Sequence, residues 1–505
     1  MLGGDFFGWQ FVLYGGFSSA IVAVIFSGVF YWLYAGAITE LAARYRTSGG
    51  AFDFVKMALG KRSAAIMAIL GLLKLILANS ALALAISSYI VQAGMSTKYQ
   101  ILCWIITYGA FTVLDSVGVR QSATAQFLAT ALCVIILVFW AFSCLTKFNM
   151  ASIRSEGYET NGAEGFFMGL PFALQFFDGF EEVPLLMGYA QDPERTIPRA
   201  VLISYLSVAV IAVMVLISGA GITDAAVLLD SEAPLMNGVD SVYGDGSFVS
   251  DATAYLVVLG LVVNFFAFVI FASQQIQAVA AAGQLPAILA YRHPVHGSPI
   301  AASVCASTVG VLLCAGFTFV LGSDAAQNTL VTAALMPAVL GYALLLECIV
   351  RVRKIEHGKH SVKDSLSPRD AERLGFDPGA LRFVYGTWGA RLAQIMCVVF
   401  ACALLVLASV KDDFLYGLIS LAFIALFMYG FMFYYMRRYG DLVILVDDHP
   451  HQQMSSEHGG VGKDDSDLAD NGGEGHADES SSYSPLSWIK SHGSNRKVEN
   501  VHASL

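Results

Sequence analysis

Twelve apolar runs divide this chain almost from end to end, and most are about twenty residues long, the length at which a helix crosses a hydrocarbon layer of ~30 Å. They are Gly3 to Tyr14, Ser18 to Ala43, Ser63 to Ala93, Tyr99 to Leu114, Ser122 to Leu145, Gly165 to Tyr189, Ala200 to Ala220, Ala252 to Gln277, Pro299 to Leu321, Ala325 to Val350, Leu392 to Val410 and Phe414 to Tyr435. Only 13% of the 505 residues are charged and 56% are hydrophobic, about half the charged share of a soluble domain. The predicted fold class is therefore an all-α integral membrane protein with about 12 transmembrane helices. The 8 cysteines stand singly within the runs, without metal-ligand spacing to a histidine, and read as packing residues. No nucleophile–base pattern or metal motif appears, so neither an enzyme nor a cofactor is expected.

Short cytoplasmic loops collect Lys and Arg. Arg44, Arg46, Lys56, Lys61 and Arg62 follow the second run; Arg195 and Arg199 follow the sixth, Arg292 the eighth, and Arg351, Arg353 and Lys354 the tenth. Gly219 to Asp251, by contrast, holds Asp224, Asp230, Glu232, Asp240, Asp245 and Asp251 with no basic residue. Both termini are expected in the cytoplasm of a multi-pass protein, in the plasma membrane. Residues 351–389 read as a cytoplasmic loop and 390–438 as two accessory spans. Residues 439–505 are rich in Ser, Gly and Asp and too polar to bury a core, so they read as a disordered cytoplasmic tail on which regulators would act.

An ionisable group in mid-bilayer costs ~2.5–3.5 kcal/mol and is a functional candidate by default. Four places qualify: Asp5, Lys74, the string "FFDGFEE" from Phe176 to Glu182, and Glu347. Glu347 lies one turn before Arg351 and reads as a surface ion pair. Lys74 lies ~18 Å into the third run, too deep to reach water easily, and needs a carboxylate, a water or loss of its proton. The sixth run would put three carboxylates into oil as a continuous helix. Unwinding at Asp178-Gly179 frees backbone groups to bind a solute, and such backbone survives at that depth only beside a cavity or within protein. "GGDFFG" (Gly3 to Gly8) and "FFDGF" (Phe176 to Phe180) share Asp, Gly and paired Phe, and each heads a run of five spans. Two interrupted segments so placed predict a transporter of two inverted repeats, 1–145 and 163–350, within a core of 1–350.

Three stretches then carry a resemblance to the amino acid–polyamine–organocation permeases, over about Gly3 to Arg437. They are "TELAARYRTSGGAFDFVKMALG" (Thr39 to Gly60), "FFDGFEEVPLLMGYAQDPERTIPRA" (Phe176 to Ala200) and "SQQIQAVAAAGQLPAILAYRHPVHGSPIAAS" (Ser273 to Ser303). The opening "GGDFFGWQF" is most similar to the ethanolamine-permease branch. The resemblance implies five-plus-five inverted repeats with broken first and sixth helices, two further C-terminal helices, and a substrate held between the breaks. Carried over by position, Gly3, Gly4 and Asp5 form the first break, and Phe177, Asp178 and Gly179 the second. Phe176 or Phe180 would supply an aromatic gate, and Glu181 matches a glutamate that helps switch access. Two departures leave the coupling ion open between H+ and Na+: the eighth run has Gln274 and Gln275 where many relatives carry an arginine, and the fifth lacks a lysine that replaces sodium in some.

Two carboxylates, Asp5 and Asp178, among the rings of Phe6, Phe7, Phe176, Phe177 and Phe180 suit an ammonium ion, with cation–π contacts of ~0.5–2 kcal/mol. The expected function is secondary active transport of amino acids or small organic amines, such as ethanolamine or polyamines, by alternating access. Lys74 and Glu181 are the candidates for gating or proton coupling. The expected partners are this small-molecule cargo and the lipid bilayer, with no nucleic acid. The rival readings are a non-transporting nutrient sensor that signals through its tail, and a channel-like facilitator. Because Gly3 to Gly8 reads as the middle of a broken helix, the half before it is expected to be missing through a late-called start codon, ~20 residues short.

Overall fold

A helix that is apolar all round has no face to offer water, and ten helices of the computed structural model are long and apolar enough to cross a membrane, among the described residues. These residues lie within 3–443, without 7, 46, 93–94, 154–161, 191, 223–227, 230–233, 245–246, 358–385 and 411, and all fall in one unit, Met1–Asp448. The second to fifth spans are Phe17–Arg44, Lys61–Gln92, Gln100–Val117 and Val119–Leu145. The seventh to tenth are Pro193–Ala220, Phe248–Ala281, Ile300–Leu321 and Ser323–His357, and the last two are Gly386–Val410 and Asp412–Val443. With two interrupted elements they account for every predicted run. The tail after Val443 and most of the 351–389 loop lie outside the described residues.

Burial sorts the spans into an interior and a lipid-facing shell. The apolar window of the third span is 78% buried and that of the twelfth 17%, so the third lies at the centre and the twelfth at the edge. Rings such as Phe319, Phe423 and Phe427 point outward, as lipid contact requires and water would penalise.

The first element is a short turn, Gly3–Phe6, followed by Gly8 at φ +97° and a 3-10 stretch, Trp9–Gly15. The sixth is a helix, Gly162–Gln175, a turn through Gly179 at φ +110°, and a 3-10 stretch, Phe180–Tyr189. A left-handed residue in each break explains the glycine, which alone takes that conformation without steric cost. The predicted sixth break is therefore where the sequence puts it. The first is displaced: Gly3, Gly4 and Asp5 form the helical turn, and the helix is interrupted at Gly8.

Both breaks free an amide, and both dispose of it in the same way. Gly8 N–H donates to Gln10 Oε1 at 3.0 Å, and Gly179 N–H donates to Glu181 Oε2 at 2.8 Å. A side chain two residues on supplies the acceptor that hydrocarbon cannot.

The two elements lie side by side in antiparallel sense along a seam of small residues. A methyl on Gly4 would strike the Gln175 carbonyl, one on Gly169 the Val12 carbonyl, and Gly15 and Gly165 press backbone to backbone. Phe11 and Tyr14 rest on Phe172 at ring distances of 5.3 and 5.8 Å. Lipid offers no hydrophobic drive for helix pairing, so close packing through small residues takes its place. Gly169→Val should force the pair apart at ~1–3 kcal/mol, the usual cost of overpacking. The expected result is a lower melting temperature of the detergent-purified protein by fluorescence-detected size exclusion; an unchanged value would contradict the seam.

Candidate functional site

The sixth-span break opens against the third and tenth spans, and there Lys74 finds its partners. Its Nζ is 2.9 Å from Asp178 Oδ1, 2.5 Å from Glu181 Oε1 and 2.8 Å from Glu182 Oε1. Three ammonium protons thus meet three carboxylates. Glu181 serves twice, with Oε2 on the Gly179 amide and Oε1 on Lys74. From the tenth span, the Tyr342 hydroxyl donates to Glu181 Oε1 at 2.5 Å and lies 3.2 Å from Asp178 Oδ1. Tyr31 of the second span donates to Tyr342 at 3.2 Å, and the Lys74 ammonium lies 5.4 Å from the Tyr342 ring centre. Lys74, Glu181, Tyr31 and Tyr342 are all buried.

Charge does not balance in this cluster. One ammonium faces three carboxylates, and uncompensated charge in a buried site costs several kcal/mol. The arrangement therefore favours the arrival of further positive charge, as a proton or as a cationic group of a solute.

Room for such a group lies next to it. A cavity of ≈ 80 Å³ is bounded by Gly4 of the first turn, Gln175 and Asp178 at the sixth-span break, Ala78, Ala81, Leu82 and Ala85 of the third span, Phe268 of the eighth, and Val331, Ala334 and Leu335 of the tenth. Asp178 is the only ionisable residue in this lining, and its side chain keeps 22% of its surface exposed while it pairs with Lys74. The carboxyl end of helix Gly162–Gln175 meets the cavity at Gln175, and a helix C-terminus carries partial negative charge. The polar end of the cavity is thus suited to a cation, and its walls to a short apolar body.

The structure distributes the predicted site residues unevenly. Gly4 and Asp178 line the cavity, Gly3 belongs to the same turn as Gly4, and Gly179 provides the interruption. Asp5 is fully buried, with neither carboxylate oxygen hydrogen-bonded among the described residues and no part in the lining. Phe6 packs against Gly260 of the eighth span, and Phe7 lies outside the described residues. Phe176 is buried, and Phe177 and Phe180 lie on Tyr31 at 5.4 and 5.5 Å and on Tyr205 at 6.2 and 5.8 Å. The ring at the cavity wall is Phe268 instead. Sequence reasoning missed Phe268, which is hidden in a run of apolar residues, and Tyr342, whose one signal was a hydroxyl inside an oily span.

Three further ion pairs close the basic ends of the spans. Glu40 of the second span accepts from Arg44 at 2.8 Å and also from Arg353 of the tenth. Glu347 pairs with Arg391 of the eleventh span at 3.0 Å rather than with the predicted Arg351. At the eighth span, where the arginine of many relatives is absent, Arg292 enters from the following loop and donates to Gln274 Oε1 at 3.0 Å and Gln277 Oε1 at 2.8 Å.

A family model described as amino acid permease matches residues 1–436. An uncharacterized transporter of Legionella pneumophila is 22% identical over 357 residues, 65% of this chain and 75% of that protein. Cationic amino acid transporter 7, chloroplastic, of Arabidopsis thaliana is 24% identical over 44% of this chain and 41% of its own length. Cationic amino acid transporter 5 of the same plant is 22% identical over 63% and 58%. Among solved structures, MhsT in complex with L-phenylalanine matches with a TM-score of 0.54 at 13% identity, over 80% of this chain and 95% of that one, a likeness of fold. The fold is thus an all-α transporter fold.

Removing one partner of a buried charge cluster strands the others, at ~3–5 kcal/mol. Lys74→Met should therefore sharply lower the yield of monodisperse protein, and adding Glu182→Gln should recover part of it. Equal melting temperatures for the unaltered protein and Lys74→Met would show that the cluster holds no strength.

Proposed function

The chain belongs to the amino acid permease family, and on that premise we propose that it carries amino acids, or small amines such as ethanolamine, across a membrane by alternating access, with the cargo ammonium held at Asp178. The observation that carries this reading is the double exposure of Asp178: it pairs with Lys74 at 2.9 Å and also faces the cavity. An incoming ammonium competes with Lys74 for this carboxylate, and Lys74 retains Glu181 and Glu182. The alanine, valine and leucine walls receive the aliphatic part of the cargo, beside the ring of Phe268. The plant relatives are named for cationic amino acids and the solved relative holds L-phenylalanine, which favours amino acids over other amines. An extended polyamine finds no second acid in this lining.

In the cycle, the first, second, sixth and seventh spans rock against the rest. Glu181 and Lys74 change partners as the break closes over the cargo, which crosses chemically unchanged. Coupling to H+ or Na+ supplies the driving force. The basic loops point to the cytoplasm, placing both termini there in a plasma-membrane protein, with the tail open to cytoplasmic regulators.

Uptake of a labelled panel of amino acids and amines into proteoliposomes tests the proposal. Asp178→Asn should abolish saturable uptake while the protein remains inserted and monodisperse. Undiminished transport by that variant would overturn the assignment of the ammonium site.

A further inference from the structure

A second buried acid closes the fourth span, away from the Lys74 cluster. Asp115 stands two residues before the end of Gln100–Val117, is fully buried, and has no hydrogen-bond partner on either carboxylate oxygen among the described residues. The hydroxyls of Ser273 in the eighth span and Ser303 in the ninth face it. Ser273 gives its own proton to the Ile270 carbonyl at 2.9 Å, so its oxygen is free to accept. Ser303 is fully buried, and its Oγ has no other partner among the described residues.

No countercharge answers this carboxylate among the described residues. The ninth span carries no charged residue, and the eighth only Asp251 at its opposite end. The fourth has none besides Asp115 itself, and its other titratable groups are Cys103 and Tyr108. The third span offers exposed Lys61 and Arg62, and Lys74, which the sixth-span carboxylates hold; the fifth begins near Arg120. In the loop between the eighth and ninth spans, Arg292 donates to Tyr189, Gly297, Gln274 and Gln277, and His293 and His296 stack on each other at 5.0 Å.

A bare carboxylate so enclosed costs several kcal/mol and has to share its place with a cation. A hard metal cation gathers about six oxygens. Here two carboxylate and two hydroxyl oxygens converge, short of that number. A proton needs only one acceptor, and either serine oxygen supplies it. We infer that Asp115 is a proton-carrying site between the fourth, eighth and ninth spans, with its carboxyl O–H donated to Ser273 or Ser303.

The site is wired to the moving element. Ser298 donates to the Ser116 carbonyl at 2.7 Å, and the neighbouring Gly297 carbonyl accepts from the Tyr189 hydroxyl at 3.4 Å. Gln274, next to Ser273, donates to the same hydroxyl at 2.9 Å. Tyr189 ends the 3-10 stretch that begins at the sixth-span break. A proton that enters at the basic ends of the spans has one helical turn to cross, and its arrival alters the contact that holds this end of the sixth span.

The inference rests on the transport reading, so its test separates the two. Gradient-free exchange of labelled L-alanine or ethanolamine in proteoliposomes reports the cargo site, and accumulation under an imposed pH gradient reports coupling. Asp115→Asn is expected to keep exchange and lose accumulation. On the unaltered protein, a membrane-permeant carbodiimide, which attacks protonated carboxyls, should label Asp115 at acidic and not at alkaline pH, read by peptide mass spectrometry; this holds even if the variant fails to fold. Retained pH-driven accumulation in Asp115→Asn, labelling that is absent or independent of pH, or accumulation that follows sodium and is lost in the variant would each overturn the proton assignment. Absence of exchange by the unaltered protein would overturn the transport reading instead.

Discussion

A peptide group in hydrocarbon has no water to pair with, and the functional half of this molecule follows from how two interrupted elements meet that demand. Each is interrupted at a left-handed glycine and caps the freed amide with a side chain two residues later, Gln10 in one and Glu181 in the other. At the first break the cap is a neutral amide. At the sixth it is a carboxylate, and the difference propagates. A buried charge needs a counterion, which the third span provides as Lys74. Lys74 then gathers Asp178 and Glu182, and Tyr342 and Tyr31 complete the shell from two further spans. One backbone interruption thus recruits three other spans to a single charged node.

That node can face a cavity only because the two breaks lie close together. Side chains larger than hydrogen at Gly4, Gly15, Gly165 and Gly169 would run into the opposing backbone, so the seam sets the separation of the two elements. The cavity wall then mixes residues remote in sequence, Gly4 with Asp178 and Ala78 with Val331. Packing and recognition are here one problem, since a seam held wider apart would change the spacing between the Asp178 carboxylate and the apolar walls opposite.

The number and order of the spans were legible because apolar length is a one-dimensional property. So was the sixth break, since no helix in oil keeps Asp178, Glu181 and Glu182 without a reason. The first break was placed at Gly3 to Asp5 when the interruption occurs at Gly8; three glycines in six residues permit several interruptions, and only the opposing backbone selects one. Cross-span pairing was not legible. Lys74 required a carboxylate, yet nothing along the chain said it would take three, and Glu347 chose Arg391 of another span over Arg351 one turn away. The phenylalanines were expected around the cargo, but Phe177 and Phe180 pack on Tyr31 and Tyr205. Apolar runs do not announce which face turns toward a cavity.

Separate acids also bear on how cargo and driving ion could share one protein. A cationic cargo at Asp178 and a proton on the same cluster would compete, because each satisfies the same surplus negative charge. Such a site would exchange one for the other rather than carry both together. Asp115 lies on the fourth span, against Ser273 of the eighth and Ser303 of the ninth, and the neighbouring Gln274 and Gly297 bond Tyr189 at the end of the sixth element. A proton accepted there would leave Asp178 to the proposed cargo ammonium. The Lys74 cluster, through Glu181, and the Gln274–Tyr189 bond touch opposite ends of the same short 3-10 stretch, Phe180–Tyr189, so two ligands bound as proposed would act on one element without displacing each other.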